Sequence, residues 1–158
     1  MWLRCLADLI FPRKCEICGR LLTGDERYIC EDCMEDMPLT YYWDWPENPA
    51  EKKLWVRTHL HRVIPLFFYT RESRYITLIH KIKYQGKAHL GHHMGVMLGE
   101  KLKGVLSDVD YVVPIPLHPI RRWRRGYNQA EIIAGGVTEA LFGKDNVKLH
   151  LRCDILKR

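Results

Sequence analysis

The chain has 158 residues, 47% hydrophobic and 28% charged, with a formal net charge of +6. That is the composition of a folded soluble protein, long enough for one domain with a small appendage, and the basic excess favours polyanions or phosphorylated small molecules as partners. No run reaches the roughly 18 to 20 apolar residues of a membrane span, which excludes a predicted transmembrane segment.

In chain order, Trp2, Leu3, Leu6 and Ile10 recur at near-helical spacing and predict a short packing helix. Arg4 and Asp8 interrupt any signal-like core, so the expected compartment is the cytoplasm. Cys15-x-x-Cys18 and Cys30-x-x-Cys33 follow as two knuckles separated by a short polar stretch. Each knuckle can turn two thiolates to one side, and together they supply the sulfur tetrahedron that zinc accepts at about 2.3 Å per bond. Gly19 eases the first turn. A zinc ion with four protein ligands has no open position, so it is expected to hold the fold and not to catalyse. A redox dithiol would need only one such knuckle. Cys5 and Cys153 have no spaced partner and read as small core residues.

Pro38 to Leu60 is rich in aromatics and turn residues and reads as a packed connector. Within it Asn48, Pro49 and Glu51 place a capping residue, a first-turn proline and an acid at the third position, a helix start. Val63 to Tyr69 is short, apolar and aromatic, a predicted strand that Pro65 assigns to an edge. Two helices divided at Gly86 come next, the first with Ile76, Ile79 and Ile82 on its apolar face, the second with Leu90, Met94, Met97, Leu98 and Leu102. Gly91, Gly95 and Gly99 fall on one face of the second, which predicts close packing against a neighbour. His89, His92 and His93 point in different directions on such a helix and read as a solvated or packed face, not a metal cluster.

Tyr111 to Leu117 is a nearly continuous apolar run after Asp108 and Asp110, the pattern of a strand covered on both faces, and it predicts an α/β fold with a parallel sheet and flanking helices. His118 to Tyr127 then reads as a basic loop, and Asn128-x-x-Glu131 as the capped start of a helix that carries Ile133, Val137 and Leu141 and ends at Gly143. A strand, a basic loop, a glycine and a capped helix together make an anion site: first-turn N–H groups and the helix dipole favour an oxyanion, and guanidinium groups add bidentate hydrogen bonds. Arg122 and Arg125 are expected to converge there, with Gly126 allowing close backbone approach, while Arg121 and Arg124 are expected to be solvated. Trp123 and Tyr127 suit either base stacking or packing of the loop. Val147, Leu149, Leu151 and Cys153 alternate with polar residues as in one further strand.

The segments "FPRKCEICGRLL", "YICEDC", "LIHKIKYQGKAHLG" and "VVPIPLHPIRRWRRGYNQAEIIA" resemble the ComF family, bacterial competence-associated proteins that join a four-cysteine zinc ribbon to a phosphoribosyltransferase-like domain. The resemblance implies a zinc ribbon over residues 1–45 and an incomplete type I phosphoribosyltransferase-like sheet over 46–158. It makes Arg122, Arg125, Gly126, Tyr127, Asn128 and Gln129 the phosphate- or pyrophosphate-binding loop. Lys83, Tyr84 and Gly86 match the family's lysine–tyrosine–glycine motif, and Lys83, Tyr84, Arg121, Trp123 and Arg124 are expected to contact nucleic acid or substrate. The implied cofactors are structural zinc and, in a complete chain, magnesium with phosphoribosyl pyrophosphate. The implied partners are phosphoribosyl pyrophosphate or a pyrophosphate-like ligand, single-stranded DNA and other competence proteins.

Family members continue into a hydrophobic strand ending in two acids and a threonine–threonine–glycine loop, which this sequence does not contain. The expectation is therefore a truncated product or a piece of a longer reading frame, inactive as a phosphoribosyltransferase by itself and poorly soluble or self-associating. The alternative expectation is a non-catalytic single-stranded DNA-binding or assembly factor of the DNA-uptake machinery.

Overall fold

The computed structural model describes residues 12–106 and 108–156, so the helix predicted from Trp2 to Ile10, and Cys5 within it, lie outside the described residues. Two compact units divide the rest: the described residues up to Leu39 together with Phe67–His80, and Thr40–Leu66 together with the described residues from Lys81 on.

In the first unit the chain doubles back through the first knuckle, where Lys14 and Leu21 form an antiparallel bridge and the Leu22 amide donates to the Arg13 carbonyl at 2.8 Å. Gly19, at φ +76°, makes the turn, a conformation that costs a residue with a Cβ. Helix α1 (Glu31–Glu35) starts directly after Cys30, and Glu31 and Asp32 place negative charge at the positive end of its dipole. Besides the cysteines, Leu22, Ile29, Met37, Tyr75 and Leu78 are the buried apolar residues described in this unit. A core this small seldom supports a fold without a cross-link or a metal.

In the second unit, helix α2 (Pro49–Trp55) begins as predicted: the Asn48 side chain accepts from the Ala50 and Glu51 amides at 2.9 and 3.1 Å, and Glu51 accepts in return from the Asn48 amide at 3.2 Å. Glu51 is fully buried and also accepts from Arg62 Nε at 2.9 Å and the Val63 amide at 3.1 Å. The Arg62 guanidinium continues to the Tyr42 and Trp43 carbonyls, so one polar network ties the connector to the helix start. Burial by itself would raise the Glu51 pKa; the Val63 amide and the Arg62 charge outweigh it and hold the carboxyl below the ordinary glutamate range. The stability contributed by that depression is present at neutral pH and is lost as pH falls through the folded-state value. Glu51→Gln is expected to lower stability at neutral pH by about 1.5–3 kcal/mol, the worth of hydrogen bonds to a charged group. Denaturant melts at several pH values should show a flatter acid limb in the variant than in the parent.

Helix α3 (Ile76–Tyr84) and helix α4 (Ala88–Leu102) are separated at Gly86, as the sequence predicts. Helix α4 crosses helix α6 (Gln129–Phe142) closely enough that the glycine face is in direct backbone contact. A Cβ on Gly99 would stand 2.6 Å from Ala140 Cβ, and one on Gly136 would stand 2.7 Å from the Val96 amide nitrogen. Leu90, Met94, Leu102, Ala134, Val137 and Ala140 are the buried apolar side chains of this pair, and Thr138 is buried with them. The neighbour that the glycines accommodate is thus a helix.

The predicted parallel sheet does not form among the described residues. Extended pairing consists there of isolated bridges: Lys14 with Leu21, Leu39 with Phe67, and Val112 with Leu151, the last parallel. The cause is visible in the segments expected to be strands. Pro114 and Pro116 remove two donors from Tyr111–Leu117, and Pro65 removes one from Val63–Tyr69, so neither can sustain a ladder. The pairing that survives lies just outside those prolines, with the Val112 amide donating to the His150 carbonyl at 2.9 Å and the Arg152 amide to the Val112 carbonyl at 3.1 Å. The predicted last strand is instead a short helix α7 (Val147–His150), held by His150 stacked on Phe142 at a ring separation of 3.9 Å. Cys153 is exposed and is no core residue.

Candidate functional site

The knuckles bring the Sγ atoms of Cys15, Cys18, Cys30 and Cys33 within 4.8 Å of one another. Tetrahedral zinc with 2.3 Å bonds needs sulfurs about 3.8 Å apart, and the Cys18 and Cys30 sulfurs stand at 3.6 Å. Cys15, Cys30 and Cys33 are buried, while Cys18 faces solvent. The Ile17 and Cys30 amides both donate to Cys15 Sγ at 3.4 Å. Burial pushes the Cys15 thiol up, but the amide donors outweigh it and bring it down to about 6. Burial pushes Cys33 strongly up, and its neighbouring thiols push the same way. The first thiolate forms readily and the last is costly in this cluster, which is the charge pattern that a divalent cation relieves. The donor set fits zinc. Outside the ligands, the hydroxyl of Tyr75, the residue just before α3, donates to the Cys33 carbonyl at 3.0 Å and fixes the second knuckle.

In the second unit the residues from His118 to Gly126 form helix α5 (Pro119–Arg125) where the sequence predicts a loop. The signals were present: His118 Nδ1 accepts from the Ile120 amide at 3.3 Å, Pro119 takes the first helical position, and Gly126 ends the helix at φ +79°. Helical spacing then decides which arginines converge. Arg121, Arg124 and Arg125, at i, i+3 and i+4, share a face, and Arg122 turns away from it. Arg121, Arg124 and Arg125 line a cleft of about 470 Å³ together with Lys83, Tyr84 and Gly86. Among the described residues the side chains of Lys83, Arg121 and Arg124 make no hydrogen bond or ion pair. Arg125 donates to Gln129 Oε1 at 2.9 Å and lies over the Tyr84 ring at 5.3 Å.

The other predicted residues build this wall and do not line it. Arg122 spends its guanidinium on Glu131, at 3.1 and 3.4 Å. The Tyr127 hydroxyl donates to the Ile82 carbonyl and anchors the turn to α3, and burial raises its pKa, so it stays a donor. Asn128 is 1% exposed; it accepts from the Ala130 amide at 3.0 Å, capping α6, and donates to the Ile115 carbonyl at 3.1 Å. Gly126 supplies the left-handed turn and Gln129 orients Arg125. Trp123 is 85% exposed and stands apart from the cleft lining. His92 pairs with Glu139 at 3.3 Å, and the cysteines are the group among the described residues suited to a metal.

Among the described residues no helix is long and apolar enough to cross a membrane. No curated protein and no solved structure matches the chain. A family model, the double zinc ribbon domain, matches residues 6–42, a span that holds all four clustered cysteines and ends before the cleft. The N-terminal part of this protein is a four-cysteine zinc ribbon.

Proposed function

We propose that the chain is a ComF-like, phosphoribosyltransferase-family protein whose ribbon holds one structural zinc and whose second unit binds a phosphate or pyrophosphate group. The observation that carries the phosphate reading is the cleft: Lys83, Arg121, Arg124 and Arg125 line it and no carboxylate does. Such a site gives charge-assisted and bidentate hydrogen bonds to phosphate oxygens, and neutralises a pyrophosphate leaving group as charge builds on it. Magnesium in this reading arrives with phosphoribosyl pyrophosphate, since the lining offers it no carboxylate. Titration calorimetry with pyrophosphate tests the site. Arg121→Ala with Arg124→Ala is expected to weaken binding at least about tenfold, while Arg122→Ala, which leaves the lining intact, changes it less than about threefold. Equal losses in the two variants would remove the cleft as the site.

A second reading, single-stranded DNA held during uptake, is favoured by Tyr84, which is 69% exposed on the cleft wall and could stack a base beside bound phosphates. Anisotropy with a labelled oligonucleotide should then show affinity that falls steeply with salt.

A further inference from the structure

We infer that the outer face of α5 docks on an anionic phospholipid membrane, with Ile120 and Trp123 entering the interface and the neighbouring cations holding lipid phosphates. The inference rests on the reading of the cleft as a phosphate site and gives an occupant to the two apolar side chains beside it, which that reading leaves unused. Ile120 is 63% exposed and Trp123 85% exposed, on a helix that buries none of its residues. At i and i+3 they form one apolar stripe. Arg124 borders the stripe on the helical wheel, Arg121 follows it, and both open into the cleft with Lys83. Arg122 is neutralised by Glu131, so the unpaired charge nearest the stripe is Arg124, with Arg121 further round the helix toward the cleft.

A short helix with tryptophan and an aliphatic residue outward and arginines beside them is the composition that lies in the headgroup layer of a membrane. Anionic lipids supply the complementary charge. Nucleic acid fits this face less well. Ile120 has no ring to stack, and Trp123 is not on the wall where the phosphates of a strand would run. Shallow docking of this kind needs no spanning helix.

Flotation of the full chain with phosphatidylcholine vesicles, with and without phosphatidylglycerol, tests the inference. The protein is expected to rise with the anionic vesicles only. Ile120→Ser with Trp123→Ser should weaken that partitioning at least about tenfold and leave pyrophosphate affinity within about twofold, because both side chains lie outside the cleft lining. Unchanged far-ultraviolet circular dichroism would show that the variant is folded. A double variant that floats like the parent overturns the inference. A parent that binds pyrophosphate but ignores both kinds of vesicle overturns it and leaves the phosphate reading standing, whereas a parent that binds neither overturns both. Loss of oligonucleotide binding in the double variant, with flotation unaltered, would give the face to nucleic acid.

Discussion

Replacing Cys33 with serine, or removing zinc with a chelator, is expected to unfold the first unit outright. Structural zinc sites of this type contribute about 10–16 kcal/mol of apparent binding free energy to folding, as much as the whole net stability of an ordinary domain. The first unit has little to replace it: among the described residues its buried apolar side chains besides the cysteines are Leu22, Ile29, Met37, Tyr75 and Leu78. A serine at Cys33 would put a poor ligand at a buried position of the cluster and remove the charge that the cation needs there. Limited trypsin digestion reads the result directly. Lys14, Arg20 and Arg27 lie on or beside the knuckles and should become cleavage sites in the variant or the chelated protein, while the α4–α6 pair keeps its protection. Cys153→Ser is the control, since that thiol is exposed and stands outside the cluster. A chelated chain that resisted digestion across residues 14–37 would show that the thiols hold the ribbon without a metal.

What could be read in the sequence was local chemistry. The cysteine spacing, the Asn48–Glu51 capping box and the Asn128 cap each depend on residues within a few positions of one another, and each is found in the structure. The glycine face of α4 was legible for a similar reason, because a run of small residues at helical spacing has few uses other than close approach. Tyr111–Leu117 misled because apolar content signals burial but not pairing. Its two prolines remove ladder donors whatever the apolar count, and Ile115 ends 72% exposed. The arginine cleft was half legible. Reading His118–Tyr127 as a loop pairs Arg122 with Arg125 and leaves Arg121 and Arg124 to solvent; once Pro119 is taken as a first-turn residue, helical geometry selects Arg121, Arg124 and Arg125 and sends Arg122 to Glu131. Lys83 joins them from a distant helix; the lysine–tyrosine–glycine motif marks it as a contact residue, but no local pattern sets it beside the arginines.

The largest effect expected in the second unit comes from a single methyl group. Gly95→Ala would drive its Cβ into the Ile133 carbonyl oxygen and to 2.9 Å from the carbonyl carbon, and Gly136→Ala would meet the His92 carbonyl and the Val96 amide in the same way. In both cases the obstacle is backbone, which cannot rotate aside as a side chain can, so helices α4 and α6 must separate along their whole contact. Alanine favours a helix over glycine by about 1 kcal/mol, but overpacking a tight interior costs about 1–3 kcal/mol and more when rigid groups collide. The collision wins, and the net loss for each variant is expected at about 2 kcal/mol or more. Gly135→Ala separates the two effects, because a Cβ there meets only the edge of the His92 ring at 3.9 Å. That variant should be neutral or gain up to about 1 kcal/mol from helix propensity alone. Urea unfolding of all three, followed by helical signal, gives the ranking, and a Gly95→Ala midpoint at or above that of Gly135→Ala would mean that the α4–α6 crossing is not the tight backbone contact from which the second unit takes its stability.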